Sequence, residues 1–188
     1  MTMMIDECMP ITEAQLRAAR ASPQIHVRPM MFSHAMVQRI LDGSKTQTRR
    51  IARRLSQCAA GQVGDRLWVR ETWCQPDPSR LEAVYAADAD ASELQAFREL
   101  RRACGPGSYV PWRPSMHMPR WAARIWLEIL EVRLHHLGET THAEAQAEGF
   151  ANSATFCAYW DEQNKYRPGC KVDDNPWVWA ITFRRVMP

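Results

Sequence analysis

The run Gly43-Ser44-Lys45-Thr46-Gln47-Thr48-Arg49-Arg50 sets an amine, hydroxyl groups and a guanidinium pair directly after a short amphipathic segment. Lys45 and Thr48 stand three residues apart. They can act as base and nucleophile, or as two hydrogen-bonding arms on one phosphate. A threonine hydroxyl attacks only when a base takes its proton, and Lys45 serves as that base only if its pKa is lowered. The neighbouring Arg49 and Arg50, with partial burial, disfavour a further positive charge and push it that way. Backbone N–H groups of the turn near Thr48 could hold an oxyanion. Arg49 is the expected phosphate contact, with Arg50 beside it. The alternative for the whole segment is a basic, solvated turn.

A second cluster holds Trp112, Ser115, His117, Arg120 and Trp121, in a loop stiffened by Pro114 and Pro119. Tryptophan stacks on bases, arginine clamps phosphates, and serine or histidine bonds a base edge. The alternatives are core packing for Trp121 and a backbone-bonded histidine for His117.

The chain has 188 residues, 46% of them hydrophobic, and a net charge of +3. That length suits one domain with a real core. Six basic residues and one acid lie between Arg39 and Arg54, an excess able to hold phosphates through salt-dependent contacts. Six cysteines are scattered without CxxC spacing, and there is no HExxH. A structural zinc site and a secreted disulfide framework are not expected, and free thiols point to a cytoplasmic location. No signal peptide and no membrane helix are expected.

These groups must be positioned by short elements. Residues 1–27 read as a leader, helical from Thr12 to Ala21, and residues 28–188 as the packed domain, with an insertion near residues 75–113 that carries a helix over Ala91–Cys104. Strands are expected at Arg28–Phe32, Thr48–Arg54, Leu67–Val69, Ala83–Tyr85, Arg124–Leu134 and from Trp177 to Phe183. On the second strand Arg49 and Arg53 would share a face. Ser33 should cap a helix over His34–Asp42 that Gly43 stops in a left-handed conformation. The parity of Ile125, Leu127 and Ile129 differs from that of Leu130, Val132 and Leu134, which predicts a bulge near Ile129. Thr141 and Glu144 form a capping box for a helix that stops at Gly149, and Ser153 should cap the next, whose apolar side is Phe156, Tyr159 and Trp160. The tryptophans of the last strand are expected in the core.

Taken in order, several motifs resemble a known family. They are Gly43-x-Lys45-Thr46-x-Thr48-Arg49-Arg50, Gly64-Asp65-x-Leu67-Trp68-Val69-Arg70-Glu71-Thr72-Trp73, Trp112-x-Pro114-Ser115-x-His117-Met118-Pro119-Arg120-Trp121-Ala122-x-Arg124-Ile125, Ala147-Glu148-Gly149 and Asn175-Pro176-Trp177-Val178-Trp179. This series resembles the ASCH domain family, most closely its phage and prophage branch, and that family is similar to the PUA domains of RNA-modifying enzymes. The likeness runs from about Pro29 to Arg185.

The resemblance implies an α+β fold: a small PUA-like mixed β-barrel with helices packed at its ends, and a cleft for RNA or a nucleoside. Among relatives, small amidohydrolases cleave N4-acetylcytidine with a lysine, a threonine and a glutamate, which match Lys45, Thr48 and Glu148. Glu148 would orient the lysine or carry the proton to the leaving amine. As an ion-pair partner it would instead raise the lysine pKa and oppose the base role. Other relatives are metal-dependent ribonucleases, for which Lys45 alone is matched and a divalent ion would be required; otherwise no cofactor is expected. The chain is longer than the small amidohydrolases. The expected partners are RNA or a nucleoside and no membrane. A non-catalytic RNA-binding module, or a phage accessory protein that binds a host protein, are the alternatives to a hydrolase.

Overall fold

A computed structural model describes residues 24–75, 82–89, 92, 95 and 112–187. The expected helix at Thr12–Ala21 lies outside these residues, as does that at Ala91–Cys104 apart from Ser92 and Gln95. The strands are β1 (Val27–Met31), β2 (Gln47–Ile51), β3 (Arg66–Arg70), β4 (Trp73–Cys74), β5 (Val84–Tyr85), β6 (Trp126–His136) and β7 (Trp177–Val186). The helices are α1 (His34–Leu41), α2 (His142–Ala147) and α3 (Ser153–Asn164).

Five strands form one mixed sheet in the order β1-β3-β6-β7-β2, and β4 pairs with β5 in a small second sheet. β1 runs parallel to β3, and every other pair in the main sheet is antiparallel. The fold is thus α+β, but the sheet is not the closed barrel expected from the resemblance. The edges β1 and β2 do not pair. The carbonyl of Met31, at the end of β1, instead accepts a hydrogen bond from Arg50 Nη2 of β2 at 3.0 Å, so a side chain takes the place of a ladder bond.

The core is built from one face of this sheet and the three helices. It includes Met30, Leu67, Val69, Leu127, Ile129, Ile181 and Phe183 from the strands, Val37 and Ile40 from α1, Ala145 from α2 and Phe156 and Trp160 from α3. The register of β6 against β7 shifts between Ile129 and Glu131, which is the expected bulge. Its effect is narrower than expected: Leu130 is exposed, while Val132 packs at the core margin. The sulfur of Met118 and the rings of Trp73 and Tyr85 belong to a smaller cluster. Arg124 anchors that layer through two hydrogen bonds to Glu71, at 2.9 and 3.0 Å, and an ion pair with Asp88.

Four local expectations are corrected. Ser33 occupies the N-cap position of α1 without a capping bond, because its hydroxyl lies 3.3 Å from that of Tyr159. The cap of α3 is Asn152, in a capping box with Thr155, and Ser153 is already the first helical residue. β2 ends at Ile51, so Arg53 and Arg54 lie beyond it and share no strand face with Arg49 or Arg50. Trp177 is 40% exposed and stacks on His136 rather than entering the core.

Candidate functional site

Two local motifs put Lys45 and Glu148 together. Asp42 caps α1, Gly43 follows at φ +83°, and the amide of Lys45 then donates to the carbonyl of Arg39 at 2.8 Å. Such a left-handed turn is cheap only for glycine. At the other side, Glu148 is the C-cap of α2. Gly149 (φ +90°) bonds Gln146 and Phe150 bonds Ala145, the paired pattern that closes helix ends. The amide of Thr46 bonds the carbonyl of Ala147 at 2.8 Å, and the carbonyl of Thr46 accepts from Phe183, so the segment is clamped between α2 and β7.

Lys45 Nζ reaches three oxygens: the Gln47 carbonyl at 2.8 Å, the Glu148 carbonyl at 3.0 Å and Glu148 Oε2 at 2.5 Å. Lys45 and Glu148 are 3% and 4% exposed. Burial pushes the Lys45 ammonium below the ordinary lysine range; Glu148 resists this, and the charges of Arg50 and Arg39 add to it. The ion pair foreseen as opposing the base role is therefore present, yet burial outweighs it.

The other oxygen of Glu148 faces Arg49 Nη1 at 3.4 Å, and Arg49 Nη2 lies 3.1 Å from Glu144. Glu144 also pairs with Arg133 at the surface and closes the α2 capping box. Arg49 has a fully buried side chain held by two carboxylates and by Gln47, so it is committed within the protein and not presented to a phosphate. Next to this network His135 is nine-tenths buried; burial and the charge of Arg49 hold its pKa below the usual histidine range, which leaves it neutral near pH 7.

Thr48 is buried, and its Oγ1 accepts a hydrogen bond from Arg50 Nη1 at 2.8 Å. A guanidinium on this oxygen favours its alkoxide form. Arg50 also lies over the ring of Phe32, 5.1 Å from its centroid. In this arrangement Lys45 Nζ directs its contacts to Gln47 and Glu148, and no hydrogen bond joins it to Thr48.

Lys45, Thr48, Arg49, Arg50 and Glu148 all line one cavity of about 410 Å³, within the size range of small-molecule sites. It opens where the sheet fails to close, between the end of β1 and strand β2. Its far wall comes from α3 and the turn after it, with Phe156, Tyr159, Trp160, Gln163, Asn164 and Arg167. Sequence reasoning found the apolar side of α3 but not its polar contributors, Gln163, Asn164 and Arg167, which only the docking of the helix brings to the site.

Trp112, Ser115, His117 and Arg120 do not line this cavity. His117 and Arg120 are exposed. Arg120 lies over Trp126 and borders a separate, open hollow with Val27, Arg66, the exposed Trp121 and Ala123. The two clusters read from the sequence thus belong to different surfaces.

Among the described residues no group of three or more His, Cys, Asp or Glu could hold a metal ion, and Glu148 already stands between two cations. No described helix is long and apolar enough to cross a membrane.

No family model and no curated protein matches this chain. The solved structures it is similar to include the following two. One is a DUF984 protein from Enterococcus faecalis, with a TM-score of 0.47 and 9% identity over 93% of this chain and 89% of that one. The other is an ASCH domain from Lactobacillus crispatus, with a TM-score of 0.47 and 12% identity over 87% of this chain and 81% of that one.

Proposed function

We propose that this chain is an ASCH-type domain that binds an unpaired nucleotide of RNA or a free nucleoside in the cavity over Lys45, and that it hydrolyses an amide on a modified cytidine such as N4-acetylcytidine. The observation that carries the reading is the meeting of Lys45 and Thr48, from one segment, with Glu148, about a hundred residues on, on the lining of one aromatic-walled cavity. Phe156, Tyr159 and Trp160 offer flat apolar surface for a base, and Asn164 and Gln163 offer amides for its edge.

The chemistry follows from these groups. Thr48 Oγ1 attacks the amide carbonyl, and its proton passes to the Lys45–Glu148 pair as the new C–O bond forms. The same pair returns the proton to the departing amine as the C–N bond breaks, leaving an acyl group on Thr48. Water then releases the acid and restores the hydroxyl. Arg50 stabilises the threonine oxygen as negative charge develops on it.

Incubation with N4-acetylcytidine followed by chromatography tests the reading. Time-dependent appearance of cytidine and acetate is the expected result. Unchanged substrate at high protein concentration rules out this hydrolysis.

A further inference from the structure

Four cations and a single carboxylate line the cavity. Lys45 is paired with Glu148, and Arg49 with Glu144 and Glu148. Arg50 has no carboxylate partner within ion-pair distance among the described residues, but its guanidinium is spent on Thr48 and on the carbonyls of Arg49 and Met31. Arg167 differs from all three. It is exposed at the mouth, held just beyond α3 by the bond from its amide to the Asn164 carbonyl. Its side chain makes no hydrogen bond or ion pair with any described residue.

An uncommitted guanidinium at the mouth of a cavity with excess positive charge selects an anion. The deeper wall is aromatic, and the buried Lys45 and Arg49 are already ion-paired with Glu148 and Glu144, so the anionic part of the ligand belongs at the mouth and its flat part inside. We propose that the ligand of this cavity is a phosphorylated nucleoside whose phosphate is bound by Arg167. The phosphate is either that of a free nucleotide or one in an RNA strand. This inference rests on the nucleoside reading above and adds a phosphate subsite to it.

Calorimetric titration with cytidine, cytidine 5′-monophosphate and a short oligocytidylate tests it, on the wild type and on Arg167→Ala. The side chain is exposed and makes no hydrogen bond or ion pair with any described residue, so the substitution removes no polar interaction of that fold. The wild type should bind the monophosphate about tenfold tighter than cytidine, the size expected for one charge-assisted hydrogen bond. Arg167→Ala should erase that difference and leave cytidine affinity unchanged. An oligocytidylate with the same dependence on Arg167 identifies a strand phosphate as the natural source; dependence seen only with the monophosphate identifies a free nucleotide. Equal wild-type affinities for cytidine and its monophosphate, or a difference that survives Arg167→Ala, overturn the subsite and leave the nucleoside reading standing. Absence of binding by all three compounds overturns both.

Discussion

Lys45 Nζ meets both the carboxylate and the backbone carbonyl of Glu148, at 2.5 and 3.0 Å, so one residue at the end of α2 holds a buried ammonium by two different groups. The lysine in turn satisfies a carbonyl that the helix end leaves open. The pair is therefore a structural link between the β2 entrance and α2 as well as the candidate reactive group. Variants must be read with both roles in view.

Removing one member should cost stability. Lys45→Met leaves Glu148 with Arg49 alone and strips the Gln47 and Glu148 carbonyls of their donor, so a loss of about 3–5 kcal/mol is expected. The double variant Lys45→Met/Glu148→Leu should lose less than the two single losses combined, with a coupling of about 0.5–3 kcal/mol. Urea denaturation of the four proteins measures this cycle; strict additivity contradicts a direct pair.

The lowered pKa of Lys45 has two consequences with defined sign. In the proposed mechanism the neutral amine is the base, so kcat/KM on N4-acetylcytidine should rise with pH and level off below the ordinary lysine value of about 10.4. The folded state also holds this proton less tightly than the unfolded chain does. Between the lowered value and about 10.4 the unfolded chain binds more protons, and the contribution of Lys45 to stability grows as pH rises. A pH–rate profile that is flat, or that levels off only above the ordinary value, contradicts the base role.

Thr48 separates chemistry from binding. Thr48→Val keeps the shape and removes the hydroxyl, so turnover should fall by roughly 10³-fold or more. Affinity for cytidine should change little. Turnover by this variant at the wild-type rate would show that Thr48 is not the nucleophile.

Gly149→Ala should displace Glu148 without touching it. A Cβ at this position lies 2.7 Å from Arg39 Cδ, and the backbone sits at φ +90°. The strain of a left-handed non-glycine residue is about 1–2 kcal/mol, with the added cost of moving Arg39 off the Phe150 ring. A lower Tm together with a lower kcat is expected, and a Tm equal to the wild type contradicts the role given to this turn.

What the residues told in advance was local. The Thr141–Glu144 box, the Gly43 and Gly149 stops and the bulge after Ile129 each depend on neighbours a few positions away, and each is present. The failures depend on distant partners. Ser33 gave up its cap to face Tyr159, which lies 126 positions on, and Arg49 turned inward because Glu144 and Glu148 arrive from another element. Barrel closure is of the same kind. β1 and β2 have suitable strand sequences, but Arg50 spans to the Met31 carbonyl and a cavity walled by the aromatic side of α3 lies between them. The aromatic part of the far wall was legible as the apolar side of α3, but its polar part was not, since nothing in Gln163, Asn164 or Arg167 signals where α3 will dock.

The most direct test of the central claim is a crystal structure of Thr48→Val soaked with N4-acetylcytidine. The base should lie against Phe156 and Tyr159 in the cavity beside Lys45, with the amide carbonyl facing the methyl group that replaces the Thr48 hydroxyl. A cavity without ligand at saturating concentration, or ligand bound instead at the Trp121 hollow, would contradict the account.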